Sequence, residues 1–109
     1  MKLNIYYLDD EKTLCEIFEE FFSTDTIHVK TFTDADVAIK ACSELPPDIL
    51  FIDMRLTGTT GDKVAQRVSE NITKILVTGD LTYNSEYQFS DVISKPLDVE
   101  QIEKILNTL

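Results

Sequence analysis

Short apolar runs alternate with amphipathic segments along the chain. The runs with the length and composition of buried strands are residues 3–8, 27–32, 48–52, 74–77 and 91–94. The segments whose apolar residues recur at helical spacing are residues 11–22, 34–45, 62–70 and 98–109. Strands that alternate with helices in this way predict an α/β fold, a doubly wound parallel sheet of five strands with helices on both faces.

The apolar positions of each helix predict the face that packs on the sheet. These positions are Leu14, Ile17, Phe18 and Phe21; Val37, Ile39, Ala41 and Leu45; Val64, Ala65 and Val68; and Ile102, Ile105, Leu106 and Leu109. Thr33 or Asp34 can cap the second helix, and the proline pair at 46–47 stops it. A loop that contains glycine is expected between the third strand and Gly61.

The connection between the fourth and fifth strands departs from this rhythm. Only twelve residues lie between Thr78 and Asp91, which is close to the minimum for a parallel crossover. Asn84 and Ser85 also compete with helix formation. We therefore predict a shortened or irregular helix in this fourth crossover.

The composition bounds the function classes. The chain has 109 residues with a formal charge of −10, and its 43% apolar content suits one domain with its own core. A domain this acidic, without a basic patch, is not expected to bind nucleic acid or an anionic membrane. No apolar run is long enough for a membrane span, and the N-terminus becomes acidic too early for a secretory signal. We expect a cytoplasmic protein in which Cys15 and Cys42 are reduced, buried thiols.

Charged and polar residues follow the predicted strands at their carboxyl ends. Ligands of open parallel sheets bind at this edge, and it is where Asp9, Asp10, Asp53, Thr78 and Lys95 are expected to meet. Clustered carboxylates repel one another unless a cation lies between them, and Mg²⁺ prefers such oxygen ligands. Asp53 could then attack phosphorus to form an acyl phosphate, with the ammonium and the hydroxyl stabilising the phosphoryl oxygens.

Each of these features has a simpler interpretation when it is taken alone. An Asp-Asp pair after a strand is commonly a helix cap, and a Lys-Pro pair or a lone threonine commonly marks a turn. The argument for a site rests on their coincidence at the ends of different strands. The combination therefore favours a phosphoryl-transfer site over four unrelated caps and turns.

The motifs as a set resemble those of the receiver domains of response regulators in two-component signalling. The matching segments are LDDE with Asp9 and Asp10, LFIDMRLTGTTG with Asp53 and Gly61, LVTGD with Thr78, and ISKPL with Lys95. The resemblance covers essentially the whole chain and implies a CheY-like fold with the flavodoxin-like strand order 2-1-3-4-5. We expect a single receiver domain at residues 1–109 with no effector domain.

The resemblance also implies a role for each site residue. Asp53 would be the phosphoacceptor, with a histidine kinase, a histidine phosphotransfer protein or a small acyl phosphate as donor. Thr78 would move toward the phosphoryl group and Lys95 would pair with it. The expected ligands of Mg²⁺ are Asp9, Asp10, Asp53 and the backbone carbonyl of Arg55. Phosphorylation would switch binding to a protein target, and the chain would catalyse only its own phosphorylation and dephosphorylation.

Three features depart from the family pattern, one of which is the shortened fourth crossover described above. Thr57 stands where proline is common, which predicts a more mobile loop, and Val92 stands where the switch aromatic usually lies. Tyr87 and Phe89 are close in sequence but out of register with that position. These departures keep open an alternative, a receiver-like interaction module that works without phosphorylation.

A phosphatase with an aspartyl-phosphate intermediate is a second alternative. Enzymes of the haloacid dehalogenase type usually carry a second aspartate two positions after the nucleophile, and Arg55 occupies that position. The sequence therefore argues against turnover of external phosphomonoesters.

We expect a phosphodonor protein to dock near the first helix, because the apolar residues of that helix cannot all be covered by the sheet.

Overall fold

The computed structural model describes residues 2–79 and 87–107. Its strands are β1 (Leu3–Leu8), β2 (Ile27–Phe32), β3 (Ile49–Asp53), β4 (Arg55–Leu56), β5 (Thr59–Thr60), β6 (Thr73–Thr78) and β7 (Asp91–Ser94). The helices within these residues are α1 (Lys12–Phe22), α2 (Ala35–Glu44), α3 (Gly61–Gln66) and α4 (Val99–Asn107).

Five of the strands form one parallel sheet in the order β2-β1-β3-β6-β7. When the short β4–β5 hairpin is set aside, this is the predicted order 2-1-3-4-5, so the flavodoxin-like topology is confirmed. The predicted shortening of the fourth crossover falls mostly on residues 80–86, which lie outside the described residues. No helix in the described part of the chain is both long and apolar enough to span a bilayer.

The sheet divides the core into two apolar layers. The layer under α1 and α4 contains Phe18, Phe22 and Ile102, and the layer under α2 and α3 contains Cys42, Val64 and Val68. Central strand β3 is buried along its whole length, as a strand covered on both faces requires. Cys15 and Cys42 are free and buried, as expected.

The buried face of α1 is rotated slightly from the stripe of Leu14, Ile17, Phe18 and Phe21, and the expectation that the sheet cannot cover all four residues is confirmed. The buried residues of α1 are Cys15, Phe18 and Phe22, whereas Ile17 and Phe21 are exposed and Leu14 is only partly buried. The helix has apolar residues on adjacent faces, and the sheet can cover only one of them. The covered face is the one that carries Phe18, whose ring stacks on Tyr7 of β1 at a centroid distance of 4.4 Å.

Helix α2 shows a similar correction. Its buried residues are Ala38 and Cys42, whereas Val37 and Leu45 are exposed. Asp34 rather than Thr33 provides the cap, since its Oδ1 accepts the backbone N–H groups of Asp36 and Val37.

Helix α3 ends at Gln66, four residues before the predicted end at Glu70. The N–H groups of Arg67 and Val68 bond to carbonyls three residues back, at Val64 and Ala65, so the last turn tightens. Ser69 then accepts the N–H of Asn71 in a turn. Val68 remains buried although it lies beyond the helix.

Candidate acidic site at the carboxyl edge of the sheet

The sheet brings the predicted strand-end residues to one edge. The cavity there has a volume of about 620 Å³, and its lining residues are Asp10, Glu11, Asp53, Arg55, Thr78, Gly79 and Lys95. Asp9 lies just beneath, fully buried after β1. Parallel strands end on the same side, which is why residues 86 positions apart in the chain, Asp9 and Lys95, are in contact.

Three carboxylates converge at this cavity. Asp9, Asp10 and Asp53 each place an oxygen within 4.8 Å of the others. Asp9 and Asp53 are buried, whereas Asp10 is exposed to solvent. Such a group of hard oxygen ligands with an open side fits a divalent cation such as Mg²⁺, which keeps several waters.

Lys95 is the cation that faces these carboxylates. Its Nζ lies 3.1 Å from Asp9 Oδ2 and 3.3 Å from Asp53 Oδ2. Its backbone N–H donates to the carbonyl of Thr78 at 2.9 Å, and the following Lys95–Pro96 peptide is cis. Burial alone would lower the pKa of Lys95, but the charges of Asp53 and Asp9 outweigh burial and raise the pKa above its ordinary value.

The pKa of Asp53 is set by burial and by neighbouring charges of both signs. Burial and then the charge of Asp9 raise its pKa, Lys95 lowers it, and the outcome is a raised pKa of about 6. One ammonium therefore does not compensate fully for the buried carboxylates. A further positive charge at the cavity would favour the ionised form of Asp53, so the electrostatics as well as the ligand set fit a metal ion.

The carboxylate of Asp9 is held by three donors. Oδ1 accepts the N–H of Glu11 at 2.9 Å, and Oδ2 accepts Lys95 Nζ at 3.1 Å and the hydroxyl of Tyr7 at 2.9 Å. Burial, followed by the charge of Asp9, raises the pKa of Tyr7 far above its ordinary range, so this phenol is a donor. Sequence reasoning missed Tyr7, although residues i and i+2 of a strand share a face.

The loop after Asp53 contains a short hairpin. Arg55 and Thr60 pair in the β4–β5 hairpin, whose turn uses Gly58 at a φ of +78°. Thr57 donates its hydroxyl to Asp10 Oδ2 at 3.2 Å, a contact that proline could not make. Arg55 is exposed at the cavity rim, and Thr78 is buried at the end of β6.

Tyr87 and Phe89, the aromatic residues close in sequence to Val92, lie on the side of the sheet opposite α1. Tyr87 and Phe89 pack on the layer under α2 and α3, with their ring centroids 4.9 Å apart. The Tyr87 hydroxyl is 2.8 Å from Nζ of Lys74, a buried residue of β6. Val92 is partly exposed in β7. The aromatic pair is therefore attached to β6 instead of occupying the register of Val92.

A family model described as the response regulator receiver domain matches residues 5–107. This match covers nearly all of the chain and contains every residue of the cavity described above.

Solved structures share the fold at low sequence identity. The CheY-like response regulator receiver domain from Methylobacillus flagellatus is 20% identical with a TM-score of 0.89, over 99% of this chain and 98% of that one. The response regulator TrrA from Thermotoga maritima, in complex with Mg²⁺-BeF, is 20% identical with a TM-score of 0.87, over 99% of this chain and 98% of that one. NtrX from Brucella abortus, in complex with ATP, is 19% identical with a TM-score of 0.85, over 99% of this chain but 27% of that one.

Proposed function

The chain belongs to the response regulator receiver domain family, and from this premise we propose that it is a Mg²⁺-dependent phosphoacceptor whose phosphorylated residue is Asp53. The observation that carries the proposal is the arrangement of Asp9, Asp10, Asp53 and Lys95 around one open cavity. That arrangement provides a nucleophile, a cation for the transferred group and a set of metal ligands.

The proposed reaction is a direct transfer to Asp53. A carboxylate oxygen of Asp53 forms a bond to phosphorus while the bond from phosphorus to the donor breaks, and the donor retains that electron pair. No general base is required because the nucleophile is the ionised carboxylate. Lys95 lies 3.3 Å from Asp53 Oδ2, where its ammonium can stabilise the phosphoryl oxygens, and the Thr78 hydroxyl would donate to them.

The proposed ligands of Mg²⁺ are Asp9, Asp10, Asp53 and the backbone carbonyl of Arg55, with Asp9 the more deeply buried of the first two. When bound, the ion neutralises charge on the carboxylates and the phosphoryl group. The residues of the chain position the ligands: Lys95 contacts Asp53, and the β4–β5 hairpin holds Arg55 at the cavity rim.

The proposed donor is a histidine kinase or a histidine phosphotransfer protein, and the proposed output is binding of a protein target. The exposed side chains of Ile17 and Phe21 are consistent with docking of the donor on α1. Because Arg55 stands where the phosphatases place a second aspartate, we propose that the chain does not turn over external phosphomonoesters.

A second candidate function is an interaction module that does not depend on phosphorylation. The observation that favours it is that Val92 occupies the position where the family usually has its switch aromatic, while the hydroxyl of Tyr87 lies at hydrogen-bond distance from Lys74 on β6. In this alternative the fold would present a binding surface whose affinity does not change with the state of Asp53.

Small phosphodonors test the first candidate. Acetyl phosphate or carbamoyl phosphate with Mg²⁺ should add one phosphoryl group, measured as an increase in intact mass, and Asp53→Asn should abolish it. Asp48→Asn is a suitable control, since Asp48 precedes β3 at the opposite edge of the sheet. An unmodified wild-type protein with every donor would favour the interaction module, and steady phosphate release from an unrelated phosphomonoester would favour the phosphatase.

Magnesium should also stabilise the fold. Because Mg²⁺ relieves repulsion between the carboxylates only in the folded state, millimolar Mg²⁺ should raise the melting temperature, and the rise should be smaller in Asp10→Asn. Asp25→Asn removes the same charge from the exposed α1–β2 turn and should keep the wild-type rise. Calorimetry with and without Mg²⁺ measures both effects, and equal rises in all three proteins would argue against the metal ligands named above.

A further inference from the structure

Tyr7 connects the acidic site to the centre of the sheet. It lies in β1 between β2 and β3, is fully buried, and stacks its ring on Phe18. Its hydroxyl donates to Asp9 Oδ2 at 2.9 Å. The ring is therefore fixed by the core, while the hydroxyl reaches a carboxylate of the cavity.

The other two donors to Asp9 differ from Tyr7 in how they are held. Glu11 donates from the backbone turn directly after Asp9, and Lys95 donates from the end of a long side chain that also contacts Asp53. At Oδ2, therefore, the donor whose ring packs in the core is the phenol of Tyr7. Hydrogen bonds from such outer residues set the orientation of carboxylates at metal sites.

We propose that Tyr7 is a positioning residue for the phosphoryl and metal site, and that its hydroxyl holds Asp9 in the orientation from which it acts on Lys95, Asp10 and Asp53. This inference rests on the proposed function. Tyr7 does not line the cavity, and its hydroxyl bonds to Asp9, so the proposed route of its action on the site is through Asp9.

The same strand provides a matched control. Tyr6, the preceding residue, is also buried, and its hydroxyl donates to the carbonyl of Leu45 at 2.6 Å on the opposite face of the sheet. Tyr6→Phe and Tyr7→Phe each remove one hydroxyl that donates a hydrogen bond, partly buried for Tyr6 and buried for Tyr7, and each keeps the ring. Tyr7→Phe should lose more stability than Tyr6→Phe because its lost acceptor is a carboxylate, so the test compares the Mg²⁺ affinity of the folded proteins and not their stability.

The decisive measurement is the affinity for Mg²⁺, obtained from the melting temperature as a function of Mg²⁺ concentration. In Tyr7→Phe the dissociation constant should rise about tenfold, the size of effect expected when an outer hydrogen bond at a metal site is lost. In Tyr6→Phe it should stay at the wild-type value. Phosphorylation by acetyl phosphate should be slower in Tyr7→Phe at low Mg²⁺ and should recover at saturating Mg²⁺.

Two different failures can be told apart. If the wild-type protein binds Mg²⁺ and is phosphorylated but Tyr7→Phe matches Tyr6→Phe within twofold, the positioning role of Tyr7 is wrong and the proposed function stands. If the wild-type protein shows neither Mg²⁺ binding nor phosphorylation, the proposed function is wrong, and the role of Tyr7 is overturned with it.

Discussion

Replacing Lys95 by methionine is expected to lower the free energy of unfolding of the metal-free protein by about 3 kcal/mol at pH 8. The substitution leaves Asp9 and Asp53, whose side chains are 0% and 8% exposed, without the ammonium that lies 3.1 and 3.3 Å from them. Removal of one partner from a buried ion pair costs more than the pair contributed, because the remaining charge is desolvated. Urea denaturation in the presence of EDTA measures the loss.

The part of this loss that comes from Asp53 should depend on pH. In the wild-type protein the pKa of Asp53 is about 6, above its unfolded value of about 3.9. The folded state therefore binds the proton more tightly, and ionisation of Asp53 decreases stability as the pH rises through 6. Without Lys95 the pKa rises further, so this decrease continues to higher pH. The two proteins should differ less at pH 5.5 than at pH 8.

Two controls separate the charge effect from the loss of a lysine. Lys40→Met removes a lysine whose pair with Glu44 is 80% and 63% exposed, and it should cost at most about 0.5 kcal/mol. Adding Asp53→Asn to Lys95→Met should restore part of the lost stability, since one unpaired carboxylate is then gone. A loss below 1 kcal/mol at pH 8, or no recovery in the double variant, would contradict the buried charge balance described above.

The strands and the site edge could be predicted from the sequence because their signals are local. The run LNIYYL changes abruptly to acid at Asp9, and DILFI changes to Asp53, so the end of each strand is marked by its own residues. Parallel pairing then places those ends together. The meeting of Asp9, Asp53, Thr78 and Lys95 at one edge was thus predicted from strand ends and parallel pairing, whereas the role of Arg55 came from the family resemblance.

Other features depend on packing that a single segment does not encode. Leu14, Ile17 and Phe21 are apolar like Phe18. The face of α1 that is buried is the one on which Phe18 packs against Tyr7 and Phe51. The contact of Thr57 with Asp10 joins residues 47 positions apart. Tyr7 could have been found, however, because the strand period places it on the face of Asp9.

Replacing Gly61 by alanine is expected to cost about 2–3 kcal/mol of stability, because a Cβ would overpack the end of β3. That Cβ would overlap the backbone carbonyl oxygen of Asp53 and would lie 3.0 Å from Ile52 Cγ2, so α3 or the strand end must move. Gly61 also donates its N–H to the carbonyl of Met54 at 2.8 Å, which restricts the direction of that movement. The strand end that would move carries Asp53, the proposed phosphoacceptor.

The effect on phosphorylation should exceed what the loss of stability explains. A shift of about 1 Å in a reacting group can slow a reaction about 100-fold, so we expect Gly61→Ala to be phosphorylated by acetyl phosphate 10- to 100-fold more slowly. The rate is to be measured at a temperature and Mg²⁺ concentration at which circular dichroism shows the variant folded.

Two other glycines provide controls for the steric argument. At Gly79 the nearest atom to an added Cβ is 3.9 Å away, so Gly79→Ala should change stability by less than about 0.5 kcal/mol although it lines the cavity. Gly58 has open space but a φ of +78°, so Gly58→Ala should lose about 1 kcal/mol through backbone strain alone. If Gly61→Ala is as stable and as rapidly phosphorylated as Gly79→Ala, close packing of α3 on the Asp53 carbonyl does not position the phosphoacceptor.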